Sequence, residues 1–117
     1  MAGTNQGQLL RIFIGESDRH EGQPLYEWIV REARRQGLAG ATVLRGLQGF
    51  GAHSRVHTAK ILRLSADLPV VNESADRPET SEAFLPSSEG AVSEGLMTLE
   101  QGVVRVYRSR LGEVEES

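Results

Sequence analysis

The sequence predicts an α+β protein of the ferredoxin-like kind, βαββαβ, with an antiparallel four-stranded sheet and both helices on one face. Two observations lead there. A strand, a helix and a strand follow one another through the first half of the chain, and the same order returns, more faintly, in the second. Nothing is then left over to cover the other face of the sheet, so association through that face, as a homo-oligomer, is expected.

The elements follow in order. Leu9 to Ile14 is rich in strand formers and is expected in the middle of the sheet. Gly15 to Gly22 is a polar turn. Pro24 opens a helix, as proline does in a first turn. Leu25, Trp28, Ile29, Glu32 and Ala33 then recur at helical spacing, and Arg31, Arg34 and Arg35 complement the negative end of the helix dipole. Gly37 followed by Leu38 is a glycine stop signal.

The next strand alternates, with Val43 and Leu47 on one face and Thr42, Leu44 and Gly46 on the other. It breaks at Gly49-Phe50-Gly51, where glycine permits backbone conformations that side chains forbid. A basic loop from about Gly51 to Ser65 follows, holding two of the three histidines. Leu68 to Val71 resumes a strand, with Pro69 early enough to be tolerated; the polar Asn72-Glu73-Ser74 is expected to fray or to lie half exposed. Asp76-Arg77-Pro78-Glu79 reads as a helix start. That helix has only Phe84, Leu85 and Val92 as an apolar face, and Pro86, Ser87, Ser88 and Gly90 weaken it, so a kink or break near Pro86 is expected. Gly95 to Leu99 and Val103 to Tyr107 are extended segments, the second the clearer strand.

At 117 residues the chain is read as a single domain over residues 9–110, between a flexible tail (1–8) and an acidic one (111–117). A net charge of -3 gives no reason to expect nucleic acid as a partner. The absence of cysteine excludes disulfides, thiolate metal sites and cysteine nucleophiles, and fits a cytoplasmic protein. No run reaches the ~20 apolar residues of a membrane span, and the first eight residues lack the apolar segment of a secretory signal.

The run Gly40-Ala-Thr-Val43 with Gly49-Phe-Gly51, after a helix stopped at Gly37, resembles the PII signalling proteins. The chain is more closely similar to a PII-like family catalogued as domain of unknown function 190. That likeness is carried by Leu10-Arg-Ile-Phe-Ile-Gly-Glu16, Pro24-Leu-Tyr26, Ala41-Thr-Val-Leu-Arg-Gly46, Leu62-Arg-Leu-Ser65 and Asp67-Leu-Pro-Val70, and extends over about Leu9 to Tyr107. The resemblance implies a trimer whose sheets face inward and whose intersubunit clefts bind adenine nucleotides. It also implies a loop that senses the ligand and docks onto a membrane transporter, a channel or another partner protein. Thr42 would lie by the adenine. Gly49, Phe50 and Gly51 would form the bend under the phosphates, their amides making a nest for negative charge.

The departures bear on the ligand. PII proteins carry Arg and Gln after Gly-Phe-Gly, where this chain has Ala52 and His53. The region matching their second phosphate loop, Ser93 to Glu100, holds two glutamates and no lysine or arginine. Weaker binding, a less charged nucleotide such as AMP or ADP, or no nucleotide at all is therefore expected, with Arg105 and Arg108 placed to compensate in part. Arg45 is placed mid-strand to reach a ligand or to pair with Glu16. Arg55, His57 and Lys60 are candidates for partner contact, since recognition residues gather on loops. An alternative reading is a divalent-metal-responsive trimer using His53 and His57, four residues apart. Another is a slow nucleotide-processing enzyme in which Glu16 or His53 assists water, although no preorganised base is evident. The main reading is non-enzymatic.

Overall fold

The computed structural model describes residues 6–50 and 67–108, together with the backbone of His57 and Thr58. Residues 1–5, all of the acidic tail, and Gly51, His53, Arg55, Lys60 and the side chain of His57 lie outside the described residues. In chain order the elements are β1 (Gln6–Gly15), β2 (Arg19–His20), β3 (Gln23–Pro24), α1 (Leu25–Arg35), β4 (Thr42–Arg45), β5 (Gln48–Gly49), β6 (His57–Thr58), β7 (Pro69–Asp76), α2 (Pro78–Ala91) and β8 (Leu96–Val103). β4, β7, β1 and β8 form one antiparallel sheet in that spatial order, the ferredoxin-like arrangement. β2–β3 and β5–β6 are two-residue ladders outside it.

α1 forms as its sequence dictates. Leu25, Ile29 and Ala33, at i, i+4 and i+8, are buried on one stripe while charged residues face out. Its end is a Schellman turn. Gly37 takes φ 86°, its N–H donates to the Arg34 carbonyl, and the Leu38 N–H reaches back to Ala33. Leu38 is thereby folded into the core beside Ala33.

The core lies between the sheet and the two helices. Leu10, Ile12 and Ile14 from β1 and Val70 from β7 meet Leu25, Ile29, Phe84 and Ala91 there. Strand alternation sends Leu9, Arg11 and Phe13 to the opposite face, which no described element covers. Register organises that face into rows. Leu44, Val71, Phe13 and Leu96 are cross-strand neighbours over all four strands, an apolar row. Beside it runs a polar row of Thr42, Glu73, Arg11 and Thr98. Arg11 donates from Nε to Glu73 and from Nη1 to Glu100, at 3.0 and 3.1 Å. These carboxylates, Glu73 foremost, raise the already high pKa of its guanidinium.

The structure corrects four expectations for individual elements. The first strand starts at Gln6, because Gln6 to Gln8 find ladder partners in Gln101 to Val103. Asn72 and Ser74 neither fray nor lie half exposed. β7 is central in the sheet; Asn72 is paired on both sides, with Ile12 and Val43, and Ser74 with Leu10, so both are held in register with their side chains buried, while Glu73 points to the uncovered face. α2 runs from Pro78 to Ala91 through Pro86 without a break. The carbonyl that proline leaves without a helical donor belongs to the exposed Glu82, where water can serve it. Finally, the last strand is Leu96–Val103, and residues 104–108 are irregular; the apolar alternation after Val103 serves a crossing over the end of β1, with Val104 against Gly7.

Candidate functional site

The crossing segment creates the site. It carries Tyr107 from the β8 edge of the sheet to the opposite edge, against the turn that leads from α1 into β4. Two adjoining depressions share Ala39, Gly40, Ala41 and Tyr107 as their common wall. One, about 380 Å³, opens on the uncovered sheet face between Leu9, Thr42, Glu73 and Ala75. The other, about 350 Å³, runs under the end of α1 along Val30, Ala33 and Arg34. The turn is held from below, since the Asp76 carboxylate accepts the Ala39 N–H at 2.6 Å. With Gly40 and Ala41 contributing almost no side chain, the backbone there is open to a ligand.

The electrostatics favour an anion or a neutral heterocycle. Glu73 is the carboxylate lining the larger depression, and Arg11 neutralises it. Arg34, which lines the depression under α1, is exposed and makes no ion pair with a described residue; Arg105 and Arg108 are likewise exposed but line neither depression. Arg35, by contrast, is occupied by Glu32. That contact, with a second hydrogen bond from Gln36, lowers the Glu32 pKa to about 2.

Of the residues singled out from sequence, Thr42 lines the larger depression, and Arg105 and Arg108 flank Tyr107 on the crossing segment. Arg45 lies at the other end of β4, on the helix-side face, and is ion-paired with Glu16. Gly49 belongs to the β5–β6 ladder, paired with His57, and Phe50 is exposed. Gly49 does not take a positive φ. A Cβ at Gly46 or Gly49 would stand 3.0 or 3.1 Å from Pro69 Cγ, so close packing on the proline ring accounts for both glycines. Thr42, in the larger depression, and Arg45 are thus at opposite ends of β4, about 10 Å apart at ordinary strand rise, and the Gly49 bend lies beyond the Arg45 end in β5. The metal reading rested on His53 and the His57 side chain, outside the described residues; among the described residues no group of three or more His, Asp or Glu is arranged to hold a metal.

Sequence reasoning missed Arg34, Tyr107 and the Ala39–Ala41 wall. A signal for Arg34 was present, since a glycine stop folds the chain back on the last helical turn and brings it near the start of the next strand. Tyr107 had none, because its segment was read as strand.

The four-stranded sheet with both helices on one face is a fold shared with PII-like proteins. The fold is similar to that of CPII, a nitrogen regulatory PII-like protein from Thiomonas intermedia K12, in a structure bound to ADP, AMP and bicarbonate. The TM-score is 0.58 at 20% identity, covering 86% of this chain and 90% of that one. A second CPII structure, bound to ADP and bicarbonate, superposes with a TM-score of 0.55 at 21% identity, covering 86% and 90%.

The chain belongs to the family "DUF190: Uncharacterized ACR", whose sequence pattern matches residues 7–104. It is 40% identical over 93 residues to a UPF0166 protein of Aquifex aeolicus (strain VF5), covering 80% of this chain and 88% of that one. A UPF0166 protein of Methanocaldococcus jannaschii is 37% identical over 81 residues, covering 69% and 74%. Among the described residues no helix is long and apolar enough to cross a membrane.

Proposed function

We propose that this protein is a non-enzymatic PII-like regulator, a homotrimer that binds AMP or ADP in clefts between subunits. The loop beyond Gly51 passes the ligand state to a partner protein, such as a membrane transporter or channel, through Arg55, His57 and Lys60. The observation that carries the reading is the half-cleft at the start of β4. It combines an open backbone wall, Thr42 and an aromatic ring with Arg34 in the adjoining depression, and it opens on a sheet face that no described element covers. A neighbour's sheet against the apolar row of Leu44, Val71, Phe13 and Leu96 would close the cleft from the other side. The fold shared with an ADP- and AMP-bound protein supports the choice of ligand.

Isothermal titration with AMP, ADP, ATP and adenosine tests this, run alongside light scattering. Micromolar heats with AMP or ADP on a species of trimer mass are expected, reduced at least tenfold by Tyr107→Ala. A monomer that gives no heat with any nucleotide overturns the reading.

A further inference from the structure

Tyr107 reaches the half-cleft only because the chain after β8 turns back over the end of β1, and little holds it there. Among the described residues no hydrogen bond or ion pair involves residues 104–108. Val103 and Val106 stay 71% and 62% exposed, whereas Val104, between them, is half-buried. The crossing is therefore fixed by packing, at Val104 and at Tyr107.

Val104 is seated on Gly7. By strand alternation Gly7 lies on the uncovered face of β1, where it is buried, and it is paired across the ladder with Gly102 of β8. Gly7 does not take a positive φ, so backbone freedom is not what calls for glycine there. Space is. A Cβ at Gly7 would stand 2.8 Å from Val104 Cγ2 and 3.3 Å from the Asp76 carbonyl oxygen. Gly102 is the contrast, since a Cβ there meets nothing within 4 Å. Asp76 is also the residue whose carboxylate holds the Ala39 N–H. The seat of the crossing and the support of the Ala39–Ala41 turn thus meet at one residue.

We infer that Gly7 is a positioning residue for the cleft, its missing side chain being the seat that lets Val104 lie flat on β1 and so delivers Tyr107 to the Ala39–Ala41 turn. Val104 cannot absorb a methyl group at position 7 by turning aside, because a β-branched side chain has little freedom at χ1. The Asp76 carbonyl belongs to the backbone and yields no more easily. The displacement passes into the chain, where no hydrogen bond to a described residue resists it, and three residues on it reaches Tyr107. The effect on a ligand rests on the proposed nucleotide cleft; the seat itself does not.

The test pairs limited trypsin digestion with titration of AMP and ADP, on the full chain as wild type, Gly7→Ala, Gly102→Ala and the double variant Gly7→Ala/Val104→Ala. Gly7→Ala is expected to hasten cleavage after Arg105 and Arg108 and to weaken both nucleotides about fivefold or more, the low end of what an overpacked contact costs. Removing the two methyl groups of Val104 in the double variant is expected to reverse most of both changes, and Gly102→Ala to produce neither. Val104→Gly, which empties the seat without touching β1, is expected to act like Gly7→Ala and serves if Gly7→Ala unfolds. Wild-type affinity in the folded seat variant overturns the inference, as does a loss that the double variant leaves unrelieved. If the wild type binds neither nucleotide, cleavage hastened by Gly7→Ala and slowed again in the double variant upholds the seat and sinks the nucleotide reading alone, whereas unchanged cleavage overturns the seat as well.

Discussion

Alternate residues of β1 live in different surroundings. Leu10, Ile12 and Ile14 point beneath the helices and are at most 6% exposed, whereas Phe13, between two of them, keeps 37% of its surface in water. The same division runs across the sheet, since Val70 is buried while Leu44 and Leu96 on the other face remain about half exposed. The covered face is a core of ordinary composition. The other combines a full-width apolar row with a charged row beside it, which a solvated face does not need and a protein contact does. The contrast separates the face that folds the protomer from the face proposed to assemble it.

The largest expected effect lies on the covered side. Ile12→Ala removes a buried branched side chain at the centre of the sheet and should cost about 3 kcal/mol, read as a lower denaturant midpoint at unchanged slope. A cost below about 1 kcal/mol would mean that the helices do not press on this face as described.

The uncovered side should respond in a different observable. Leu44→Asp, at a half-exposed edge position, should leave the circular dichroism of the protomer intact while light scattering falls from trimer to monomer mass. An unchanged trimer would show that the apolar row is not the contact. Because assembly raises apparent stability by mass action, comparisons with Ile12→Ala need equal protomer concentration.

A smaller pair of effects should carry opposite signs. Gly46→Ala pushes a methyl group against the Pro69 ring at the bend and should cost about 1 kcal/mol. Gly102→Ala, in β8 with open space around it, should stabilise by about 0.5 kcal/mol through the unfolded chain alone. Equal signs would remove the close-packing account of Gly46, and with it the reason that the bend begins there.

How far the sequence disclosed this division depends on the element. α1 was legible because one signal, the stripe of Leu25, Ile29 and Ala33 between proline and glycine, had no competitor. The chain order sufficed for the sheet topology, and it left one sheet face without a helix, the face that no described element covers. Asn72 and Ser74 misled because polarity is a local signal, whereas their burial is set by two neighbouring strands far away in sequence. The last strand was misplaced for a related reason. Val103, Val104 and Val106 have strand chemistry, but among the described residues the β1–β8 ladder closes at Gln6 and Val103. The cleft was half legible. Thr42 could be picked out by resemblance, but Tyr107 reaches it only through the crossing, which no periodicity encodes.

The covered face is itself uneven, and its weakest part supplies the smallest prediction. α2 presents Phe84 and Ala91 to the sheet, but also Ser81 and Ser88, all of them buried. Ser88 satisfies its hydroxyl on the Phe84 and Leu85 carbonyls one turn back. Ser81 has no partner among the described residues, and the adjacent Glu82 holds only the amide nitrogen of the buried Gln8, whose Oε1 is also unpartnered. If the Ser81 hydroxyl is desolvated for nothing, Ser81→Ala removes a penalty and gains helix propensity, so it should stabilise by up to about 1 kcal/mol. A loss of 1 kcal/mol or more would mean that the hydroxyl is served by a buried water, one that Gln8 Oε1 is placed to share. The sign of this small change therefore decides whether α2 lies on a dry interface or a hydrated one, and so whether the covered face is a single core or an apolar core with a polar margin.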